Sequence, residues 1–186
     1  MKSFKEYVQK EVAPALAKEL GIENTMAVPK VLKVVLNVGM SQALKDTKYS
    51  EVIESTLKRI SGQKPVKRLA KKSIAAFKIR EGMVVGMVVT MRGKRMYDFL
   101  DKFIHVSLAR IRDFRGISTL LVDNHGNMSI GFREHLIFPE IKTDEVERIH
   151  GIQVTLTTNA HNKEKGLALF RKLGFPFKTV EEKKKK

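Results

Sequence analysis

Two segments in which inward and outward positions alternate constrain the fold of this chain more than any other feature. In residues 30–38 and 83–92, every second residue is Leu, Val or Met, and the residues between are partly polar. A period of two predicts β-strands, and here each strand has one fully buried face and one half-polar face. Such strands favour an antiparallel or mixed sheet that is covered on one side only. The predicted inward positions are Leu32, Val34, Leu36 and Val38 in the first strand and Met83, Val85, Met87, Val89 and Met91 in the second. The remaining positions, which include Val31, face outward.

Helical spacing of apolar residues occurs in four further segments. The first segment is interrupted by Pro14, which should kink or split the helix, and Gly21 should end it. Since helices and half-buried strands both recur along the chain, we expect an α+β fold with helices packed on one face of the sheet and the other face open. The predicted helices cover 4–20, 49–61, 94–111 and 162–173; shorter strands cover 65–70, 127–132 and 152–158, and 71–82 is a loop.

Positive charge is concentrated in residues 55–80, which hold nine lysines and arginines and no acid, within a chain of formal charge +16. Apolar residues are interleaved with these cations and could anchor the segment to the folded body; they are Val66, Leu69, Ile74, Phe77 and Ile79. An ordered basic surface of this kind suits a phosphate backbone, because neutralised phosphates release their condensed counterions. The alternative is a charged face that serves only solubility.

The composition limits the cellular compartment in which we expect the protein and the kinds of metal site and cross-link that it can form. The chain has no cysteine, which excludes disulfides and thiolate metal sites and fits a reducing cytosol. No signal-peptide core and no apolar run of about 18 residues is seen, so we expect a cytoplasmic protein that does not enter a membrane.

Motifs for catalysis or cofactor binding are weak. The region from Gly86 to Arg95 lacks the spacing and the hydroxyl of a P-loop, and no dinucleotide-binding glycine motif occurs. Glu147 and His150 have the spacing of some metal ligands, but further carboxylates are missing, and a surface turn near Gly151 is the favoured interpretation. His135 could act as a catalytic base, but no motif marks out a serine or lysine as its nucleophile. We therefore expect neither an enzyme nor a cofactor.

The outward positions of the two long strands carry side chains suited to RNA. Asn37, Thr90 and the nearby Gln63 can each donate and accept hydrogen bonds, as the 2′-hydroxyls and base edges of an RNA minor groove require, and Lys33 and Arg92 can reach phosphates. The alternative is an ordinary solvated sheet. Phe77, in the basic loop, could stack on an exposed base or could pin the loop to the core, and the sequence does not decide between them.

Seven motifs, in order along the chain, resemble one known family. They are KVVLNVG at 33–39, GQKPV at 62–66, AKKSIAAFKIREG at 70–82, VTMRGKRMYDFLD at 89–101, RDFRG at 112–116, GFREHLIFPEI at 131–141 and LFRKLGFPF at 169–177. The chain resembles the bacterial-type large-subunit ribosomal protein five family, which binds 5S rRNA in the central protuberance. The resemblance spans residues 2–178 and implies one RNA-binding α+β domain over 1–178 with an antiparallel sheet, followed by a basic tail at 179–186 that we expect to be disordered.

The same resemblance implies partners and sites. It implies contacts with 5S rRNA, 23S rRNA, P-site tRNA, small-subunit ribosomal protein thirteen and other 5S-associated large-subunit proteins. The implied 5S rRNA-binding residues are Lys33, Asn37, Gln63, Lys67, Thr90 and Arg92. The implied loop facing P-site tRNA and rRNA contains Lys71, Lys72, Ser73, Phe77, Lys78 and Arg80, and the implied intersubunit bridge contains Arg112, Arg115, Asp144 and Glu145. Without the resemblance, a free nucleic-acid chaperone or a DNA-architectural protein would be the alternative.

Overall fold

Five strands form one antiparallel sheet in the computed structural model, which describes residues 3–40, 47–142 and 148–178. The strand order is β2-β3-β1-β5-β4, so the two long strands β1 and β3 are neighbours near the centre of the sheet. The strands are β1 Val31–Gly39, β2 Val66–Leu69, β3 Val84–Met91, β4 Met128–Phe132 and β5 Ile152–Thr158. The predicted α+β class and the antiparallel sheet are confirmed.

One face of the sheet is buried beneath the helices. The inward side chains of β1 and β3 join the helices and the inward residues of β4 and β5 in one apolar cluster, which contains Leu36, Met87, Leu57, Phe103 and Phe170, each fully buried. The helices are α1 Phe4–Tyr7, α2 Ala13–Leu20, α3 Thr47–Ser61, α4 Gly93–Lys102 and α5 Lys163–Lys172. Because all of this apolar surface lies on one side, the other face of the sheet is left free to carry polar groups.

The start of β1 departs from the predicted alternation. Pairing with β5 shifts between Val31 and Lys33, so Leu32 is an extra residue in a β-bulge. The bulge reverses the phase, and as a result Val31 is buried while Leu32 is 41% exposed. The predicted orientation of these two residues is therefore wrong, whereas that of Val34, Leu36 and Val38 is confirmed.

The first helix is divided as Pro14 predicts. A π-helical segment, Val8–Val12, lies between α1 and α2, and Pro14 is in the first turn of α2. Val12 and Ala13 keep helical backbone angles, and the Pro14 nitrogen has no proton to donate to the turn that precedes it. Gly21 ends α2 in the left-handed conformation with φ 63°. Among the helices in the described part of the chain, none is long and apolar enough to cross a membrane.

The apolar residues of the basic segment do not anchor it to the core. Val66, Leu69, Ile74 and Phe77 are all exposed, and Phe77 is 68% exposed. For these four residues the expectation of burial against the folded body is wrong, and so is the interpretation of Phe77 as a core pin; the fifth residue, Ile79, is half-buried. Backbone pairing of β2 with β3 holds the segment instead.

His135 and His150 are buried, although the sequence suggested a surface turn around His150. Their side chains are 1% and 5% exposed, and the two rings stack with centroids 3.8 Å apart. The surface-turn prediction is therefore wrong at His150. The cause is tertiary, because the turn after β4 and the entry to β5 bring two residues 15 positions apart into contact.

Candidate nucleic-acid interface

The outward residues of all five strands form a continuous surface, which we call the open face. Residues directly opposite each other in antiparallel strands project to the same side. Asn37 of β1 is paired with Val88 on one side and Gln153 on the other, and the next outward row joins Val35 to Thr90 and Thr155. The outward positions of the described strands are Lys33, Val35, Asn37, Gly39, Val66, Arg68, Gly86, Val88, Thr90, Ser129, Gly131, Gln153, Thr155 and Thr157, and none of these is acidic.

Polar side chains on the open face are hydrogen-bonded to one another across strands. The Asn37 Nδ2 donates to Gln153 Oε1 at 3.3 Å, and the hydroxyls of Ser129 and Thr155 lie 3.1 Å apart. These bonds fix the side chains in place, so less rotamer entropy is lost when a ligand binds. Each group retains donor or acceptor capacity for a further partner.

Gln63 closes the corner between β2 and β3. With its amide oriented to satisfy both neighbours, Nε2 donates to the Thr90 carbonyl at 3.0 Å and Oε1 accepts from Arg95 Nη1 at 3.3 Å. Gln63 thus holds Thr90 and orients the guanidinium of Arg95.

The cations predicted for this surface do not all lie on one face. Lys33 projects outward from β1, and exposed Arg92 follows β3. Lys67 pairs with Met87, an inward residue, and its Nζ lies 3.8 Å from Glu54 of α3, which places it on the helix-covered side at the edge of the sheet. Its neighbour Arg68 is the outward cation of β2, opposite Gly86.

The segment 71–82 forms a closed projection beyond β2 and β3. Ile74 and Ile79 exchange two backbone hydrogen bonds of 2.9 and 3.2 Å, and the hydroxyl of Ser73 accepts from the Glu81 N–H at 2.9 Å. Lys78, with φ 54°, reverses the chain after a short 3₁₀ turn, Ala75–Phe77. The predicted loop is therefore an ordered hairpin-like turn that holds Phe77 outward in water. Its four cations are exposed, as Phe77 is; they are Lys71, Lys72, Lys78 and Arg80.

The predicted bridge residues are only partly described. Arg112 and Arg115 are exposed on a loop after the α4 region, and that loop is tied to the C-terminal segment by the Ile117 N–H, which donates to the Pro176 carbonyl at 2.7 Å. Asp144 and Glu145 lie outside the described residues. The structure therefore gives the position of the two arginines alone.

Sequence reasoning missed several residues of the open face. Arg68 was missed because a strand of four residues, all exposed, gives no burial pattern from which to read its faces. Gln153 and Thr155 had a signal in the alternation of β5, but only the strand order brings them beside Asn37. No sequence signal pointed to Arg95, because its link to Gln63 is a contact between side chains of separate elements.

An α+β scaffold with one covered face, one polar face and a basic edge has the surface chemistry of a protein that binds a polyanion. Two family models match the chain, one described as "Ribosomal protein L5" over residues 24–80 and one that describes the C-terminus of the same ribosomal family over residues 84–177. The chain belongs to the L5 family of ribosomal proteins, whose members are structural, rRNA-associated constituents of the large subunit.

Curated relatives of the same description extend over nearly the whole chain. "Large ribosomal subunit protein uL5" of Acidobacterium capsulatum is 51% identical over 175 residues, which cover 94% of this chain and 96% of that protein. The protein of the same description from Herpetosiphon aurantiacus is 48% identical over 178 residues, with coverage of 96% and 99%. That from Desulfosudis oleivorans is 47% identical over 178 residues, with the same coverage of each chain.

Proposed function

We propose that the open face binds 5S rRNA and helps attach it to 23S rRNA in the large subunit. The observation that carries the proposal is the set of polar side chains in two neighbouring rows of the sheet, with Asn37 hydrogen-bonded to Gln153 in one row and Thr90 in the next. Lys33 and Arg92 lie beside them. Amides and hydroxyls in fixed positions suit the 2′-hydroxyls of an RNA minor groove, while the cations suit its phosphates. Lys67 would then act at the rim of the interface and not at its centre.

The projection 71–82 would contact a second RNA, the P-site tRNA. Its exposed Phe77 and the flanking Lys78 and Arg80 combine a stacking surface with two cations, a combination suited to unpaired or irregular RNA. Because Ser73 and the Ile74–Ile79 pairing already order the turn, binding would cost little conformational entropy.

Arg112 and Arg115, with Asp144 and Glu145, would form the bridge to small-subunit protein thirteen. Support comes from the exposure of both arginines on a loop that the C-terminal segment holds in place. Site-directed crosslinking from position 112 or 115 in assembled ribosomes checks this. Crosslinks that reach only large-subunit components would contradict it.

A competition experiment tests the main proposal. At about 0.2 M salt, nonspecific phosphate contacts are strongly weakened, so 5S rRNA should outcompete a duplex DNA of equal length by orders of magnitude. Equal competition by the two would instead favour the alternative, a free nucleic-acid chaperone or DNA-architectural protein.

A further inference from the structure

A groove of about 540 Å³ lies between the N-terminal helices and the segment that leads into β1. Its apolar walls come from the π-helical segment, α2, α4, α5 and the approach to β1, and they include Val8, Val12, Ala17, Val28, Tyr97 and Leu169. None of the outward residues of the described strands lines it. Pro14 and Met26 are exposed at this groove, so its apolar surface is open to water.

The walls of the groove are fixed by hydrogen bonds before any partner binds. The Asn24 side-chain oxygen accepts from the Met26 N–H at 2.9 Å and so caps the 3₁₀ turn Thr25–Ala27. The Lys30 N–H donates to Asn159 Oδ1 at 2.6 Å, which ties the end of the same segment to the residue after β5. Met26 itself is 78% exposed, and its unbranched thioether chain can adapt to the shape of a partner. A site that is formed in advance loses little conformational entropy on binding.

The polar groups that line the groove favour a partner with carboxylates. Two charged residues line it, the exposed Lys18 and Lys30, and both are cations. The neighbouring Glu19 carboxylate lies 3.0 Å from the Lys172 ammonium, so its charge is already balanced. Tyr97 is half-buried in the wall, and its hydroxyl has no hydrogen-bond partner among the described residues. This hydroxyl is therefore a donor for an incoming acceptor.

We propose that this groove docks one amphipathic helix of another protein, with an apolar stripe flanked by carboxylates. A helix with apolar side chains at i, i+3, i+4 and i+7 presents them along one face, as an apolar groove requires. The methyl side chains of Ala13 and Ala17 let such a helix approach α2 closely, and its carboxylates would lie near Lys18 and Lys30. The inference does not depend on the proposed function, since RNA on the open face leaves the groove free.

Other occupants fit the groove less well. A second copy of this chain carries the same +16 charge, and like charge opposes self-association. An RNA strand would place its phosphates against apolar walls and lose their hydration. A small apolar acid would leave much of its surface in water, because the groove is open, whereas an amphipathic helix keeps its polar face in water in any case.

A designed peptide tests the proposal. The probe is a fluorescein-labelled peptide of about 14 residues with leucines at i, i+3, i+4 and i+7 and glutamates on the other face, and a scrambled peptide of the same composition is its control. At about 0.15 M salt, attraction between distant charges is screened. We expect the probe to bind roughly 10-fold or more tightly than the control, since burial of one leucine side chain is worth about that factor. Fluorescence anisotropy measures the binding of both peptides.

Two matched substitutions locate the bound peptide. Met26→Glu places a carboxylate at the rim of the groove, and Leu120→Glu makes the same change of charge at a residue that is 83% exposed and lies outside the groove. We expect Met26→Glu to weaken probe binding by about 10-fold, because an apolar contact is lost and a like charge is added, and Leu120→Glu to bind the probe like the parent. Circular dichroism and urea unfolding check that both variants keep the fold.

Three results would overturn the inference. The first is equal binding of the probe and the scrambled peptide, or parental binding of the probe by Met26→Glu. The second is dimerisation of the parent in analytical ultracentrifugation that Met26→Glu abolishes, which would assign the groove to a second copy. The third is binding of dodecanoate that Met26→Glu weakens, without binding of the probe, which would assign the groove to a small apolar acid.

Discussion

At the residue scale, two glycines pack against each other so closely that neither leaves room for a side chain on the other. Gly126 ends the turn before β4 with φ 80°, and Gly166 lies within α5. A Cβ on Gly166 would stand 2.6 Å from the Cα and 2.7 Å from the oxygen of Gly126, both backbone atoms. Helix α5 can therefore sit on this turn only without a side chain at position 166.

We expect Gly166→Ala to lower the free energy of unfolding by about 1 to 3 kcal/mol, although alanine favours a helix by about 1 kcal/mol, because neither backbone can yield locally. Urea unfolding measures this. Gly131→Ala on β4 is the matched control, since a Cβ there has no atom within 4 Å. Equal stability of the two variants would contradict the proposed close packing.

The buried histidine pair should make stability depend on pH. Burial lowers the pKa of His135, and burial together with the charge of His135 lowers the pKa of His150 to about 4. The Tyr49 ring packs edge-on to His150 at 6.3 Å, and Arg148 lies over that tyrosine, so positive charge is close on this side too. In the folded protein, both imidazoles therefore resist protonation.

Because the folded-state pKa values lie below the unfolded value of about 6.5, the unfolded chain binds more protons as the pH falls, and stability decreases. We expect the His150 contribution, about 3 kcal/mol at most, to be fully present above pH 6.5 and to be lost progressively towards pH 4. Urea unfolding at several pH values measures it. His150→Phe, which keeps a stacked ring, should flatten this dependence, and His105→Phe, at a side chain 62% exposed, should not. If the free energy of unfolding changes with pH in the same way in the parent, His150→Phe and His105→Phe, the pH dependence does not come from His150.

At the scale of elements, the sheet provides fixed polar groups and the projection 71–82 provides exposed cations and an aromatic ring. The two are joined through β2 and β3 but face their ligands with different chemistry. We therefore expect mutations in the sheet and mutations in the projection to weaken the binding of different RNA ligands.

On the sheet, Asn37→Ala or Thr90→Ala should each cost about 1 to 3 kcal/mol of 5S rRNA binding, and Lys33→Ala should mainly lower the salt slope by roughly one unit. Binding isotherms at several salt concentrations separate these classes. Lys58→Ala, at an exposed position on α3, removes the same charge from the covered side and serves as the control. Parental binding by all three folded sheet variants would exclude the open face as the site.

In the projection, the combined change of Phe77, Lys78 and Arg80 to alanine should leave most 5S rRNA affinity intact and weaken the contact with P-site tRNA, since a stacked base is worth about 1 to 3 kcal/mol. Crosslinking of the loop to tRNA in assembled ribosomes, with 5S binding measured in parallel, decides this. Ala76→Gly keeps the three side chains and should retain the crosslink. Lost 5S binding with an unchanged tRNA crosslink would assign the projection to the 5S site instead.

At the scale of the whole molecule, charge and burial are divided between the two sides of one sheet. The helices cover the apolar side, and the +16 charge of the chain includes nine cations in residues 55–80, which lead into the basic edge of the other side. In the proposed complex, the cations would supply most of the binding free energy to RNA, and the polar groups of the open face would select which RNA is bound.

In cell extracts, the protein should therefore co-sediment with large ribosomal subunits and leave them together with 5S rRNA when the subunits are stripped. Sucrose-gradient fractions, assayed for both molecules, provide the measurement. Release of the protein with 5S rRNA still bound to the subunit would contradict the proposed attachment.

The sequence by itself determined what depends on short-range periodicity. The alternation indicated the buried residues of β1 from Val34 onward and of β3 from Met87 onward, and Gly21 and Gly62 marked helix ends, because these features need only local backbone geometry. At the start of β3 the prediction is wrong, since Met83 and Val85 are only half-buried and Val84 packs against the core. The polar character of the open face followed from the same alternation. The boundary of the C-terminal tail stays a prediction, since residues 179–186 lie outside those described.

Tertiary structure decided everything that depends on which distant residues meet. The bulge at Leu32 reversed one strand phase, and pairing with β3 turned Arg68 outward and Lys67 towards α3. The stacking of His135 on His150 joins residues whose separation carries no periodic signal. A four-residue exposed strand or an isolated histidine has no burial pattern of its own, so its orientation is set by the packing of the elements around it.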